Sequence, residues 1–561
     1  MMESLLPQLD ESSATAPIFP KHHFPLSRFG KFLLKVGLPL VAPAMVSLPA
    51  TSAETIYLDY GPLQFSISVE SLERLATEGE IEGDLKTFAR FVEPEQLAQL
   101  QQALVTPANL SPSAVAQFLY SPEGEAILRQ VGQLIETKAR QHGFYAIRAA
   151  LIQAAADEDG LTPLNVIKKF PTNGIRINSS QGFELIEQLS NTIEQTTNIA
   201  QLIEQQSLAQ MDQNVPLNFS ALPNLATLGT VPFSVRNVVV NDLIRNREIA
   251  VDLYLPQQQR EGKLPLVIIS HGLGSDRQTF AYLAKHLASH GWAVAVPEHP
   301  GSSATQIGAL LRGLATQITP ARELIDRPLD IKLVLDQLES SFEEQINLKD
   351  VGIIGQSFGA YTVLALAGAD LNFERLQEQC PAVEDVLNLS LLLQCKALQL
   401  PNIDYELRDR RIGAAIAINP FTSLIFGEDE LNKIDIPLMI VSASADTVTP
   451  ALSEQIRPFS ELENPEKYLV LLEGGTHFST LDESTGSIPI PAQVIGPNPT
   501  IARNYLQALS LAFYRRYITE QREYTLFLSP NYARFLSQPE IPLFLVESLN
   551  EEQLTIQVSN E

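Results

Sequence analysis

The segment Val351-Gly352-Ile353-Ile354-Gly355-Gln356-Ser357-Phe358-Gly359-Ala360-Tyr361-Thr362-Val363-Leu364-Ala365 joins two apolar stretches through a serine flanked by glycines. The first stretch, Val351–Gly355, has the length and composition of a strand buried on both faces. The stretch from Ala360 is helix-like. Between them, Gly355-Gln356-Ser357-Phe358-Gly359 has the form G-x-S-x-G. At a strand-to-helix turn this pattern sets the serine at the apex of a sharp bend with its hydroxyl exposed. The flanking positions are glycine because neighbouring backbone comes too close there for a Cβ. Three fixed letters in five occur by chance; the strand before and the helix after give the pattern its weight.

A serine hydroxyl is a poor nucleophile at neutral pH and needs a base within hydrogen-bond reach. Of the eight histidines only His477, in Glu473-Gly474-Gly475-Thr476-His477-Phe478, follows Ser357. A serine on such a turn is served by an acid and then a histidine, in that chain order. Seven aspartates lie in the interval: Asp370, Asp385, Asp404, Asp409, Asp429, Asp435 and Asp446. Asp446 alone directly follows a strand-like run, Pro437–Ala445, where a carboxylate can fix the imidazole tautomer and stabilise its charge. Ser357, Asp446 and His477 are therefore the expected catalytic residues. The oxyanion of a tetrahedral intermediate needs N–H donors, expected from Phe358 and from Leu273 in the loop His271-Gly272-Leu273-Gly274. His271 and His299 are expected to order their loops by hydrogen bonds. His286 and His290 have an i, i+4 spacing that suits a metal, but with no acidic motif nearby a solvated helix face is expected.

Around this centre, apolar runs alternate with helical stretches, the pattern of a mostly parallel sheet with helices on both faces. The runs are Ser234–Val240, Ile249–Leu255, Leu264–Ser270, Trp292–Pro297, Val351–Gly355, Ile412–Ile418, Ile436–Ser442 and Tyr468–Leu472. Eight strands in residues 230–524 are thus expected, with insertions at 302–327 and 371–411 placed to roof the site. Residues 525–561 read as a C-terminal tail. Residues 54–215 read as a mainly helical domain after a short extended start (Ile56, Leu58, Phe65, Ile67). Ser111-Pro112 and Ser121-Pro122 each announce a helix with a capping hydroxyl and a proline at the first turn. The stretch Phe183–Val215 lacks Pro and Gly and predicts one long helix or two. A lid, a partner-docking module or a packing domain all fit this part.

Residues 1–53 differ from the rest. After Glu11 there is no acidic residue up to Ala53, while Lys21, Arg28, Lys31 and Lys35 precede an uncharged stretch, Val36–Ala50. A basic lead, a short apolar region and a small-residue exit form a secretory signal, with a mobile leader or membrane anchor as the alternatives. The prolines and the length argue against a spanning helix. In an oxidising compartment the only two cysteines, Cys380 and Cys395, can pair; as two small buried hydrophobes they fit equally well. They are too few for a structural zinc site. Lys+Arg number 39 against 65 Asp+Glu, a net charge of −26 that repels phosphate backbones and excludes nucleic acid as the main partner. Contact with neutral lipid through an apolar face stays open.

Over residues 230–520 the chain resembles the α/β-hydrolase superfamily, and within it the platelet-activating-factor acetylhydrolase branch. The residues that carry this are Ser270-His271-Gly272-Leu273-Gly274-Ser275, Glu298-His299-Pro300-Gly301-Ser302, Gly355-Gln356-Ser357-Phe358-Gly359 and Gly474-Gly475-Thr476-His477-Phe478. The resemblance implies an α/β-hydrolase fold, a serine triad needing no metal or cofactor, oxyanion donors at Leu273 and Phe358, and short or oxidised acyl chains of phospholipids as substrates. The whole chain is also similar to bacterial hydrolases with an N-terminal helical domain of unknown function, through Tyr57–Val69. Dienelactone hydrolases share parts of the pattern but use cysteine, whereas position 357 is serine. The expected protein is an exported serine esterase acting on lipid-like acyl esters. Its rivals are a serine peptidase of the same fold, and a binding protein built on a hydrolase scaffold. Apolar residues of the insertions (Ile307, Leu310, Leu311, Leu391, Leu393) suit an acyl chain, or simply cover the sheet edge.

Overall fold

The computed structural model describes residues 52–60, 63–211, 218–257, 262–385, 388–482, 492–549 and 554. All but the last two residues of the expected leader lie outside that set. The first part of the chain builds a small sheet from β1 (Thr55–Tyr60), β2 (Leu63–Ser68), β3 (Ile135–Thr137) and β4 (Gly174–Ile177), in the order β2-β1-β4-β3. The extended start of this mainly helical region forms β1 and β2, while β3 and β4, too short to show alternation in the sequence, complete the sheet. Helices surround it and share a core that includes Leu72, Leu75, Leu119, Leu128, Ile147 and Phe170. Both Ser-Pro starts behave as expected: Ser111 Oγ accepts from Ala114 N–H (3.2 Å) and Ser121 Oγ from Gly124 N–H (3.1 Å). The Pro- and Gly-free stretch forms one helix, Ser179–Ala209, rather than two. Its last turns carry Ile199, Ala200, Leu202 and Ile203 into the core of the second, larger sheet.

That sheet holds β5 (Phe233–Asp242), β6 (Arg247–Pro256), β7 (Leu264–Ser270), β8 (Ala293–Pro297), β9 (Ile346–Gln356), β10 (Ile412–Ile418), β11 (Leu438–Ala443), β12 (Lys467–Leu472) and β13 (Leu543–Val546). The order is β13-β12-β11-β10-β9-β7-β8-β6-β5. From β8 to β12 every neighbouring pair is parallel. Strands β5, β6 and β13 attach antiparallel at the two edges. The central strands are buried on both faces, which is why they read as unbroken apolar runs and not as alternations. β7 is buried at all seven positions.

The ninth strand, β13, corrects both the eight-strand count and the tail. Leu543, Leu545 and Val546 are essentially inaccessible and the strand pairs with β12. One face of the sheet is packed by the helices Glu323–Phe342 and Phe358–Ala367, the other by Ala281–Ser289 and Pro499–Tyr517. The last of these packs tightly over Gly352: a Cβ there would sit 2.6 Å from the Tyr514 ring, whose hydroxyl donates to Ile353 O (2.8 Å).

In register, Gln356 of β9 lies beside Ile418 of β10, and Ile418 beside Val441 of β11. The carboxyl ends of these strands therefore finish at one level, where open parallel sheets hold their ligands.

Candidate active site

Ser357 follows β9 with φ 56° and ψ −118°, a left-handed φ that a residue bearing a Cβ rarely adopts. Such a backbone costs about 1–3 kcal/mol and persists only where its surroundings enforce it. Here Ser357 N–H donates to Ile418 O (2.8 Å), and Ser357 O accepts from Tyr361 N–H (3.0 Å) in the helix that follows. The two glycines are required as expected. A Cβ on Gly355 would lie 2.3 Å from Gly359 O, and one on Gly359 would lie 2.0 Å from Ser270 O.

Asp446 and His477, 31 residues apart, meet behind this turn with Asp446 Oδ2 2.7 Å from His477 Nδ1. A carboxylate can only accept, so the shared proton sits on Nδ1, and in the neutral ring Nε2 keeps its lone pair. Asp446 is held from several sides. Oδ1 accepts from the N–H groups of Val448 and Thr449 (both 2.8 Å), and Oδ2 from Asn419 Nδ2 (2.6 Å) and Thr449 Oγ1 (2.8 Å). Burial alone pushes this carboxyl up, but the charge and hydrogen bond of His477, with those from Thr449, outweigh it and the net shift is downward. Asp370, Asp409 and Asp435 pair elsewhere, with Lys433, Arg411 and Arg408.

Gln356, next to the serine, donates through Nε2 to His477 O (3.1 Å). Among the described residues no hydrogen bond joins Ser357 Oγ to the imidazole; contacts of this kind are commonly long in ligand-free enzymes.

The N–H groups of Leu273 and Phe358 have no acceptor among the described residues. The loop bearing Leu273 is fixed around them. Gly274 N–H donates to Ser302 O (2.8 Å), His271 Nδ1–H to Gly272 O (2.8 Å), and His299 N–H to His271 Nε2 (3.0 Å). His299 uses its ring on Ser270 Oγ (3.0 Å) and Asp330 Oδ2 (3.2 Å). Both rings thus order their loops, and burial holds both well below the usual histidine range. His286 departs from expectation. It is fully buried rather than solvated, and burial lowers it to about 3.

Three side chains that shape this site escape the sequence reading. Arg327, taken there only as the end of an insertion, is fully buried and donates to Ser302 Oγ (2.7 Å), Thr362 Oγ1 (3.0 Å) and His271 O. Its guanidinium stacks 4.6 Å from the Phe358 ring centroid, and burial lowers it to about 9 despite Glu323 and Asp330 nearby. Asn419 and Thr449 hold Asp446. Only Asn419 leaves a trace in the sequence: it ends the run Ile412–Ile418 as Ser357 ends its own, and has a left-handed φ of 48°. The cysteines, open between pairing and burial, are bonded to each other and brace the second insertion.

Among the described residues, a nine-stranded, mostly parallel sheet with a strained serine turn after a central strand and an Asp–His pair beyond later strands is the arrangement of an α/β hydrolase. Residues 52–178 match a family model described as alpha/beta hydrolase of unknown function, and residues 225–326 match that of platelet-activating factor acetylhydrolase, isoform II. The platelet-activating factor acetylhydrolase of Cavia porcellus is 24% identical over 302 residues, covering 46% of this chain and 58% of that protein. That of Bos taurus is 30% identical over 152 residues, covering 20% of this chain and 33% of its own. The chain thus spans between a third and three-fifths of the length of these curated relatives. The fold is that of the α/β hydrolases, and these partial matches support a likeness to the platelet-activating-factor acetylhydrolase branch.

Proposed function

We propose that the protein is a serine carboxylic-ester hydrolase working through an acyl-enzyme. Ser357 Oγ attacks the ester carbonyl while His477 Nε2 takes its proton. The carbonyl electrons move to oxygen, and the N–H groups of Leu273 and Phe358 hold that charge. Collapse expels the alcohol, which receives the proton from His477. Water then repeats the sequence on the acyl-enzyme and releases the acid. Asp446 keeps His477 in its tautomer and stabilises the imidazolium. The observation that carries this reading is the buried Asp446–His477 contact beside the strained turn of Ser357. No metal or cofactor takes part in any step.

The substrate is a lipid-like acyl ester, in keeping with the names of the relatives and with the apolar insertions around the site. The basic leader and the Cys380–Cys395 bond support export to an oxidising compartment. Among the described residues no helix is long and apolar enough to cross a membrane. Labelling with a fluorophosphonate and assay of p-nitrophenyl esters of rising chain length test the proposal. Wild type labels and prefers chains beyond acetyl, and Ser357→Ala does neither. Labelling that survives Ser357→Ala overturns the assignment of the nucleophile. Strict preference for acetyl, with no turnover of lipid dispersions, overturns the lipid-like substrate.

A further inference from the structure

The triad and the oxyanion loop use no residue from the first part of the chain, yet helices of that part reach the insertions around the site. The first insertion starts at the oxyanion loop. Ala304 N–H donates to Ser275 O (2.8 Å), and Ile307 of the helix Ala304–Leu311 comes within 3.4 Å of where a Cβ on Gly274 would stand. The second insertion is seated on the strand ends through Glu454. That buried carboxylate accepts from Ser390 Oγ (2.7 Å) and Gln394 Nε2 (3.0 Å) of the insertion, and from Thr422 N–H (2.7 Å) shortly after β10. Between the insertions stands Glu123, in the first turn of the helix Pro122–Leu134.

Glu123 Oε1 pairs with Lys396 of the second insertion, and Oε2 accepts from Ile318 N–H of the first (3.4 Å). Lys396 in turn donates to Thr319 O of the first insertion. The side chains of Lys396 and Glu123 are only 9% and 19% exposed, so both charges are largely desolvated. A pair of this kind is weak evidence of added stability; its best-attested use is to fix one arrangement among several. The helix Pro112–Leu119 adds a second contact, with Gln117 lying over Gly313 at the end of the first insertion's helix. A contact that served packing alone needs one partner on one element. Glu123 instead takes one from each insertion and none from the sheet.

We propose that the N-terminal helical region is the fixed wall of the ester-binding passage, with Glu123 clamping the two insertions together and so limiting the chain length that the site admits. This rests on the esterase reading, and it makes Glu123 and Lys396 positioning residues for specificity. Loosening the clamp widens an apolar passage, in which one methylene gained or lost is worth roughly tenfold in selectivity. Glu123→Gln keeps the shape and an acceptor for Ile318 N–H but removes the charge. Lys396→Met removes the partner from the other side and serves as the second variant.

The test compares kcat/KM for p-nitrophenyl octanoate and acetate in wild type and both variants, with fluorophosphonate labelling of each. The expected result is a ratio of octanoate to acetate that rises roughly tenfold in either variant, carried by KM, with labelling retained. A merely structural pair lowers the melting temperature and leaves the ratio where it is, and that result in a folded, labelling variant overturns the clamp alone. A wild type that neither labels nor hydrolyses either ester overturns the esterase reading and the clamp with it.

Discussion

At Ser357 the backbone is strained and the side chain nearly buried, and the neighbours that enforce this are mostly main chain. The carboxylate of Asp446 is different, being held by the side chains of Asn419, Thr449 and His477 as well as by two backbone N–H groups. A carboxyl whose value falls on folding adds stability above its ordinary value of 3.8 and gives that stability up as the pH drops through the lower folded value. The difference in stability between wild type and Asp446→Asn, followed by urea melts, is therefore widest from pH 4 upward and closes in acid. A gap that stays constant across that range means the charge of Asp446 contributes nothing to the fold. Ser357, Asp446 and His477 could be singled out because each follows an apolar run, and the structure places Asp446 against His477. Arg327 could not be singled out. Its partners Ser270, His271, Ser302 and Thr362 come from three other segments, and no spacing along the chain announces such a convergence. Contact between Ser357 and His477 was expected, and the structure brings their strand ends together without a hydrogen bond between the side chains.

Among the elements, the parallel strands were the easiest to read, since burial on both faces leaves an unbroken apolar run. β13 was missed because an edge strand of four residues is too short to show a period. It nonetheless covers the open edge of β12, the strand that leads into the His477 loop. Leu545→Ala is expected to cost about 2–5 kcal/mol in urea melts, as a fully buried leucine does when truncated. A cost below 1 kcal/mol would show that the edge is ornamental. The short β3 and β4 were hidden for the same reason. The second insertion is braced by the Cys380–Cys395 bond, with the cysteines 15 residues apart. Cysteine burial and pairing read alike in sequence, because both need only two apolar surroundings.

Over the whole molecule, the expected boundary near residue 215 falls just beyond a helix that serves both parts. The helix Ser179–Ala209 starts beside the small sheet and ends in the core of the large one. The chain has one tryptophan, Trp292, which is fully buried against the large sheet, so its fluorescence reports unfolding of that part alone. Ile203→Ala should shift the Trp292 transition by about 2–5 kcal/mol, although Ile203 belongs to the first part of the chain. A Trp292 midpoint unmoved by this change would make the two parts energetically separate.

Just past that helix, Gln210 closes a clasp: its Oε1 accepts from Glu547 N–H (3.0 Å) and its Nε2 donates to Ser548 O (3.0 Å). The two sides of the clasp are 338 residues apart in the chain. During synthesis the first waits while all three members of the Ser–Asp–His set are made, and only then does its counterpart emerge. This seam is sewn only after those three residues have been made, so a nascent chain holds the groups proposed for its chemistry before the clasp can close.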